Sequence, residues 1–390
     1  GYVHEVEAGR TPWVAVLDFK AMYPSIMIAN NICHTTRIDR VEEGVEFNES
    51  PIGTKFLKRS EREGLVPRLL QDLMAQRDHH KAQMKKDGTD RLFHDQMQFA
   101  VKILMNSFYG VFASAFSRLT HPDIGSAITA WARSNIKKII VALEEEGHPV
   151  VYSDTDSVFV SAPEEGKEAL IAFGHELAGR FTVEGAELEF EKGLSVFFSH
   201  GAKKRYIGRV VWPEEELLIR GYETRRTDSF DLLTSAMMGT FERILDGETQ
   251  TAVQDIIALI RRIKAGEVEP AELILSRSCK GKIRKDGTVD FSVYANPDGL
   301  PYVRAAKKRI ERGLQFTPGM KVSYIVTDAR KRPLTVEPWL VTETGDDPPV
   351  PDWIFYAERV ARAMGRITEA FGWNADDLLK GNRQATLFSF

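Results

Sequence analysis

The chain has 390 residues, of which 43% are hydrophobic and 28% charged, a composition typical of a globular protein with about two to three domains. The net charge of −4 gives no overall attraction for nucleic acid, and the absence of any run of 18 apolar residues excludes a membrane-spanning helix. Two cysteines far apart in the sequence exclude a disulfide framework and favour a reducing, cytoplasmic setting.

Hydrophobic periodicity and turn residues divide the first 150 residues into one strand and several helices. The predicted elements are a strand at 14–19, a helix at 21–31, a charged loop or hairpin at 36–64, helices at 65–86 and 91–115 joined by a turn at 87–90, and a helix at 124–146.

The rest of the chain mixes strands with further helices. The pattern predicts a strand at 150–160, a helix at 164–181, strands at 187–191, 196–199 and 205–211, helices at 228–264, 302–313 and 352–371, and a strand at 322–326. The sequence therefore predicts an α+β core that carries a helical hairpin, followed by a mostly helical C-terminal part.

The segment VVYSDTDSVFV at 150–160 places two carboxylates inside an apolar run. In a single strand, Asp154 and Asp156 would share one face and repel each other unless a cation neutralised them. Mg²⁺ prefers such oxygen ligands, and Asp18 at the end of another strand could supply a third. Glu187, Glu189 and Glu191 alternate along a further predicted strand and could contribute one more. A hairpin tip is the alternative structure, and a metal-dependent glycosyltransferase is an alternative function.

Cations and one aromatic ring recur at helical spacing on the predicted hairpin. Lys102, Asn106 and Tyr109 form one stripe of the second helix, and Arg77 and Lys81 lie one turn apart on the first. Antiparallel packing would bring the cations together, an arrangement that favours an anion such as a triphosphate. A solvated helix face with a buried tyrosine is the simpler alternative.

Six motifs in order resemble those of family B DNA polymerases, most closely the archaeal replicative enzymes. They are DFKAMYPSI at 18–26, KILMNSFYG at 102–110, YSDTDS at 152–157, KKRY at 203–206, GYETRR at 221–226 and PYVRAA at 301–306. The resemblance implies a right-hand architecture: an antiparallel-sheet palm at 1–64 and 116–224, two-helix fingers at 65–115, a mostly helical thumb at 225–380, and a clamp-binding tail at 381–390.

The resemblance also implies roles for single residues in a two-metal reaction. Two Mg²⁺ ions, with Mn²⁺ able to substitute, would be held by Asp18, Asp156 and the main chain of Phe19, with Asp154 and Glu189 as auxiliary carboxylates. The deoxynucleoside triphosphate would contact Arg77, Lys81, Lys102, Asn106 and the main-chain N–H groups from Phe19 to Tyr23, which include Ala21 and Met22. Lys102 would also protonate the leaving group, and Tyr23 would exclude a ribose 2′-hydroxyl.

The DNA contacts that the resemblance implies lie in the later motifs. Primer-template DNA would be held by Tyr109, Gly110, Lys203, Lys204, Arg205, Tyr206, Arg225 and Arg226. Gln384, Leu387 and Phe390 resemble a sliding-clamp-binding peptide that lacks its usual second aromatic residue. Val111 to Ser114 and Thr227 depart from the family pattern, which puts details of template contact in doubt.

The resemblance begins at the palm, so we expect no proofreading by this chain alone and a possible separate chain carrying the N-terminal and exonuclease domains. A non-catalytic, polymerase-like DNA-binding subunit is a further alternative. The expected location is the nucleoid.

Overall fold

The computed structural model describes residues 8–86, 88, 90–182, 185–222 and 229–382. The chain divides into two compact units, residues 1–218 and 219–390. Within the described residues, no helix is both long and apolar enough to cross a membrane.

The first unit is built on an antiparallel sheet with the strand order β5-β6-β1-β7-β8-β9. Its strands are β1 (Gly9–Phe19), β5 (Val150–Asp154), β6 (Ser157–Ser161), β7 (Leu188–Ser199), β8 (Tyr206–Trp212) and β9 (Glu216–Arg220). A small sheet with the order β2-β4-β3 contains β2 (Arg37–Ile38), β3 (Phe47–Glu49) and β4 (Lys55–Leu57).

Five helices complete this unit. They are α1 (Met22–Ala29), α2 (Leu65–Gln83), α3 (Arg91–Ala113), α4 (Pro122–Glu145) and α5 (Lys167–Phe181). Helices α5 and α4 pack on the sheet, and α2 and α3 pack against each other and against α1 and α4. Their apolar residues form one core with Leu17, Val158 and Phe190 of the sheet, whereas Val16, Phe159 and Tyr206 belong to a separate core on the opposite face.

The second unit combines helices with short strands. Its helices are α6 (Asp231–Leu245), α7 (Thr249–Ala265), α8 (Pro301–Glu311), α9 (Val341–Thr344), α10 (Trp353–Thr368) and α11 (Ala375–Lys380). Its strands are β10 (Leu275–Ser278), β11 (Lys282–Ile283), β12 (Val289–Asp290), β13 (Lys321–Asp328) and β14 (Thr335–Pro338). Strands β10, β13 and β14 form one antiparallel sheet, and α7 packs against α10 and α11.

The predicted α+β fold is confirmed, and three element predictions need correction. The predicted strand at 150–160 is a hairpin, since β5 ends at Asp154 and β6 begins at Ser157. The predicted strands at 187–191 and 196–199 are one strand, β7. The predicted helix at 228–264 is two helices, because Gly247 adopts a left-handed φ of 84° between α6 and α7.

Candidate active site

The hairpin tip between β5 and β6 lies beside the end of β1. The N–H of Asp156 donates to the carbonyl of Asp154 at 2.7 Å, and Thr155 between them has a φ of 60°. This is a γ-turn in the left-handed region, a costly conformation for a β-branched residue. The turn separates the two aspartates, so they do not share one strand face as the single-strand prediction required.

The end of β1 is held between the hairpin tip and the start of β7. Asp18 pairs with Ser157 on one side and with Glu189 on the other. The N–H of Phe19 donates to the carbonyl of Asp156, and the N–H of Lys20 donates to the carbonyl of Glu187, both at 2.9 Å. These hydrogen bonds fix Asp18 at a point where three segments meet.

The same hydrogen bonds change the predicted main-chain phosphate site. The N–H groups of Phe19 and Lys20 are occupied, so Ala21, Met22 and Tyr23 are the part of the predicted run that does not donate to the sheet. Ala21 has a left-handed backbone (φ 46°, ψ 52°) and leads into α1, whose N-terminus has no side-chain cap. Uncapped N–H groups at a helix start favour an anion.

Asp18 and Asp156 belong to one group of carboxylates that repel one another and that nearby lysines only partly compensate. Burial raises the pKa of Asp18 to about 8, with further increases from Asp156, Glu191 and Glu189, while Lys102 acts in the opposite direction. Burial also raises the pKa of Asp156, as do Asp154 and Glu191. Partly buried carboxylates that repel one another form a site for a cation.

The donor set fits hard divalent ions, although the carboxylates alone do not enclose one. Among the described residues, no group of three or more His, Cys, Asp or Glu side chains stands ready to hold a metal. Mg²⁺ commonly takes only one or two protein carboxylates and completes its shell with water and substrate phosphates. The side chain of Phe19 has no ligand atom and is buried, so Phe19 could bind an ion only through its main-chain oxygen.

Cations from the α2–α3 hairpin reach the same end of the sheet. Lys102 on α3 interacts electrostatically with Asp18, and Lys81 on α2 interacts with Glu189, which is the cross-strand partner of Asp18. Burial lowers the pKa of Lys81, and nearby Arg77 and Lys20 lower it further. Close, partly desolvated cations of this kind are stabilised by an anion.

The remaining residues predicted to contact the nucleotide lie around this cluster. The Nε of Arg77 donates to Oε1 of Gln98 at 3.4 Å. Asn106 is exposed one turn after Lys102 on α3. The rings of Tyr23 and Tyr109 stack with centroids 4.5 Å apart and planes at 22°, which joins α1 to α3. Gly110 is exposed beside Tyr109, and a Cβ there would meet no atom within 4 Å.

The segment predicted to bind the duplex forms the loop before β8. Nζ of Lys204 lies 3.0 Å from Oδ1 of Asp154, and its main-chain N–H donates to the hydroxyl of Tyr152 at 2.9 Å. Lys203 is exposed and Arg205 half-buried. Tyr206 is only 7% exposed and packs against Tyr152 with ring centroids 4.9 Å apart, so its ring belongs to the core and not to the exposed surface of the loop.

Five of the predicted site residues lie outside the described residues: Arg225, Arg226, Gln384, Leu387 and Phe390. Two further residues belong to the site. Glu191 and Arg133 join the site through their electrostatic effects on Asp18 and Tyr23. Glu191 is one of the three alternating carboxylates that the sequence offered as a further ligand, whereas nothing in the sequence of α4 distinguishes Arg133.

Comparison with known proteins decides the family. The model of DNA polymerase family B matches residues 11–361. This chain belongs to DNA polymerase family B. Relatives within the family include the DNA polymerases of Thermococcus sp. (strain 9oN-7) and Thermococcus gorgonarius. Each is 32% identical to this chain in an alignment that covers 97% of this chain and 48% of the relative.

The family relationship extends to eukaryotic and structural relatives. The DNA polymerase delta catalytic subunit of Plasmodium falciparum is 28% identical, with 95% of this chain and 35% of that protein covered. The family B DNA polymerase structure from Pyrobaculum calidifontis superposes with a TM-score of 0.66 at 25% identity, covering 94% of this chain and 46% of that one. The chain thus spans about half the length of the archaeal family B polymerases that it matches.

Proposed function

We propose that this chain is the core of a template-directed DNA polymerase, which adds deoxynucleotides to the 3′-hydroxyl of a primer. The observation that carries the proposal is the meeting of Asp18 and Asp156 with Lys102 and Lys81 at one end of the main sheet. Phosphoryl transfer needs little covalent chemistry from the protein, and it depends on positioning and charge stabilisation, which this arrangement supplies.

Asp18 and Asp156 are the proposed ligands of two Mg²⁺ ions, for which Mn²⁺ could substitute. The main-chain oxygen of Phe19 and the carboxylate of Glu189 would complete the protein ligands. Ions held in this way would activate the primer hydroxyl and neutralise the charge of the leaving pyrophosphate. Asp154 is assigned a supporting role, because its carboxylate pairs with Lys204.

The triphosphate is proposed to lie between the sheet end and the α2–α3 hairpin. Arg77, Lys81 and Lys102 would bind its oxygens, and Lys102 would give a proton to the pyrophosphate as it leaves. Asn106 would support the pocket from the same face of α3. The N–H groups of Ala21, Met22 and Tyr23 would face the phosphates at the start of α1.

The stacked pair of Tyr23 and Tyr109 is proposed to form the wall of the nucleotide pocket. A ring fixed by stacking cannot yield easily to an added 2′-hydroxyl, so Tyr23 would select deoxyribonucleotides by shape. Tyr109 and Gly110 would contact the nascent base pair, since Gly110 leaves the backbone open beside the ring.

The loop before β8 is the proposed contact with the primer-template duplex. Lys203, Lys204 and Arg205 offer accessible cations, and phosphate contacts of this kind position DNA without reading its sequence. Contacts by Arg225 and Arg226, clamp binding by the tail, a separate exonuclease chain and the lack of proofreading by this chain stay predictions. A DNA substrate would place the chain at the nucleoid.

Primer extension tests the proposal directly. With primed template, Mg²⁺ and one deoxynucleotide at a time, we expect incorporation only of the nucleotide that pairs with the template base. Duplex binding without extension, with the chain folded and any partner chain supplied, would favour a non-catalytic DNA-binding subunit. Hydrolysis or transfer of a sugar nucleotide without salt-dependent duplex binding would favour the glycosyltransferase alternative.

A further inference from the structure

Two histidines face each other at the closed end of the α2–α3 hairpin, next to the turn that joins the two helices. His80 is in the last turn of α2, and His94 is in the first turn of α3. Their Nδ1 atoms are 2.8 Å apart, and the ring centroids are 5.1 Å apart. Both side chains are half-buried, so the pair is accessible from solvent.

The contact requires an unequal division of protons between the rings. A hydrogen bond between two ring nitrogens uses one N–H and one lone pair, so a single proton lies between the two Nδ1 atoms. If both Nδ1 atoms carried a proton, two N–H donors would point at each other and the hydrogen bond would be lost. Desolvation lowers the pKa of His80, and nearby His94 and His79 lower it further. Neutral imidazoles with converging Nδ1 atoms are the form in which histidine binds metal ions.

The spacing can be compared with metal–imidazole geometry. Nitrogens bound at about 2.0–2.1 Å to one ion lie about 2.9 Å apart when the angle at the ion is roughly 90°, and about 3.3 Å apart when it is tetrahedral. The observed 2.8 Å is close to the first value. After only a small movement of the rings, the two Nδ1 atoms would therefore fit neighbouring positions around a square-planar or octahedral ion. Such geometry is typical of Cu²⁺ and Ni²⁺.

We propose that His80 and His94 form a two-imidazole site for a divalent transition ion of the Cu²⁺ and Ni²⁺ class. The ion would replace the shared proton and join the last turn of α2 to the first turn of α3. Water would fill the other positions, since no third His, Cys, Asp or Glu ligand is grouped with the pair in the described parts of the chain. The site is separate from the carboxylates around Asp18, whose oxygens suit harder ions.

Titration of the tag-free full chain with Ni²⁺ alone, in buffer without Mg²⁺ or imidazole, tests the site. Isothermal calorimetry should resolve one tightly bound ion per chain, separate from weaker binding at the carboxylates around Asp18, and His80→Ala or His94→Ala should each weaken this tight binding by about tenfold or more. Replacing both histidines should add little to either single loss, because one remaining imidazole no longer chelates. Ni²⁺ should raise the melting temperature of the unmodified chain more than that of these variants.

Matched controls separate the site from its surroundings. His79→Ala removes the exposed imidazole next to His80 on α2, and it should change Ni²⁺ affinity by much less than His80→Ala or His94→Ala. Asp156→Asn alters the carboxylates around Asp18 and should leave Ni²⁺ affinity at the histidine pair unchanged. His94→Gln keeps a hydrogen-bonding side chain on α3 but removes the imidazole, so it guards against loss of the hairpin itself. Circular dichroism of each variant establishes that it is folded.

Electron paramagnetic resonance with Cu²⁺ alone supplies an independent readout. The unmodified chain should show two equivalent nitrogen ligands, and His94→Gln should show fewer. The proposal fails if folded His94→Gln binds Ni²⁺ as tightly as the unmodified chain. It also fails if the loss of affinity follows Asp156→Asn or His79→Ala instead, in which case the pair is only a hydrogen bond.

Discussion

Nζ of Lys204 lies 3.0 Å from Oδ1 of Asp154 and so joins the loop before β8 to the tip of the β5–β6 hairpin. The main-chain N–H of Lys204 donates to the hydroxyl of Tyr152, which fixes the loop by a second contact. The lysine side chain is 62% exposed, whereas that of Asp154 is only 17% exposed, so the ammonium group is open to a further partner while the carboxylate is not. In the proposed complex a DNA phosphate would be that partner, and the contact with Tyr152 would hold the loop in place.

Lys204→Ala should weaken binding of primer-template DNA of any sequence. Loss of one phosphate contact should lower the slope of log affinity against log salt by about 0.9. Fluorescence anisotropy over a range of NaCl concentrations measures both quantities. Arg180→Ala is the matched control, because it removes an exposed cation on the other face of the sheet. Arg180 lies on α5, which packs against Phe190, whereas Lys204 contacts Tyr152 in the core of the opposite face. An unchanged slope for Lys204→Ala would count against a phosphate contact.

Asp18→Asn should stabilise the metal-free chain while removing extension activity. The folded-state pKa of Asp18 is about 8 against an ordinary value of 3.8, so between these values the folded state retains a proton that the unfolded chain has released. The free energy of unfolding therefore falls as pH rises through this window. Asparagine carries no charge, so the melting temperature of Asp18→Asn should exceed that of the unmodified chain by an amount that grows from pH 4 to pH 8.

Differential scanning calorimetry in chelator measures this difference, for which each kcal/mol is worth about 2–4 °C. Glu164→Gln, at an exposed position after β6, should show no such pH trend. Added Mg²⁺ should raise the melting temperature of the unmodified chain and should have a smaller effect on Asp18→Asn. Equal stability of Asp18→Asn and the unmodified chain at pH 8 in chelator would mean that burial and neighbouring carboxylates do not destabilise the charged form of Asp18.

Tyr23→Ala should relax the choice between deoxyribonucleotides and ribonucleotides. Removal of the ring opens the space beside Tyr109, so the ratio of kcat/KM values for the two sugars should fall by about tenfold or more. Tyr109→Leu removes the stacking partner but not the ring of Tyr23, and it should cause a smaller fall. Single-nucleotide incorporation kinetics measure the ratio, and equal effects of both substitutions would mean that stacking alone, not the position of Tyr23, sets the selection.

Sequence patterns predicted the long regular elements well, because their periodicity is strong. The predicted helical hairpin at 65–86 and 91–115 corresponds to α2 and α3, with only the helix ends shorter. The split of the predicted helix at 228–264 was not predicted, although Asp246 and Gly247 form a typical turn pair in the sequence. Local signals of this kind depend on neighbouring residues alone.

The site was less accessible to prediction because it depends on contacts between distant segments. A left-handed Thr155 cannot be read from the residue type, so the turn between Asp154 and Asp156 was open to two readings. The burial of Tyr206 depends on the aromatic core that it forms with Tyr152 on β5, a residue distant in the sequence. Arg133 joins the site only through the packing of α4.

Asp156→Asn gives the most direct test of the proposed polymerase site, with primer extension and duplex affinity measured on the same protein. If Asp156 holds the catalytic ions, extension should fall by about a thousandfold or more while duplex affinity stays within about twofold. Glu164→Gln, the matched change at an exposed carboxylate, should alter neither. Full extension by folded Asp156→Asn, or a loss of extension matched by an equal loss of DNA binding, would contradict the account.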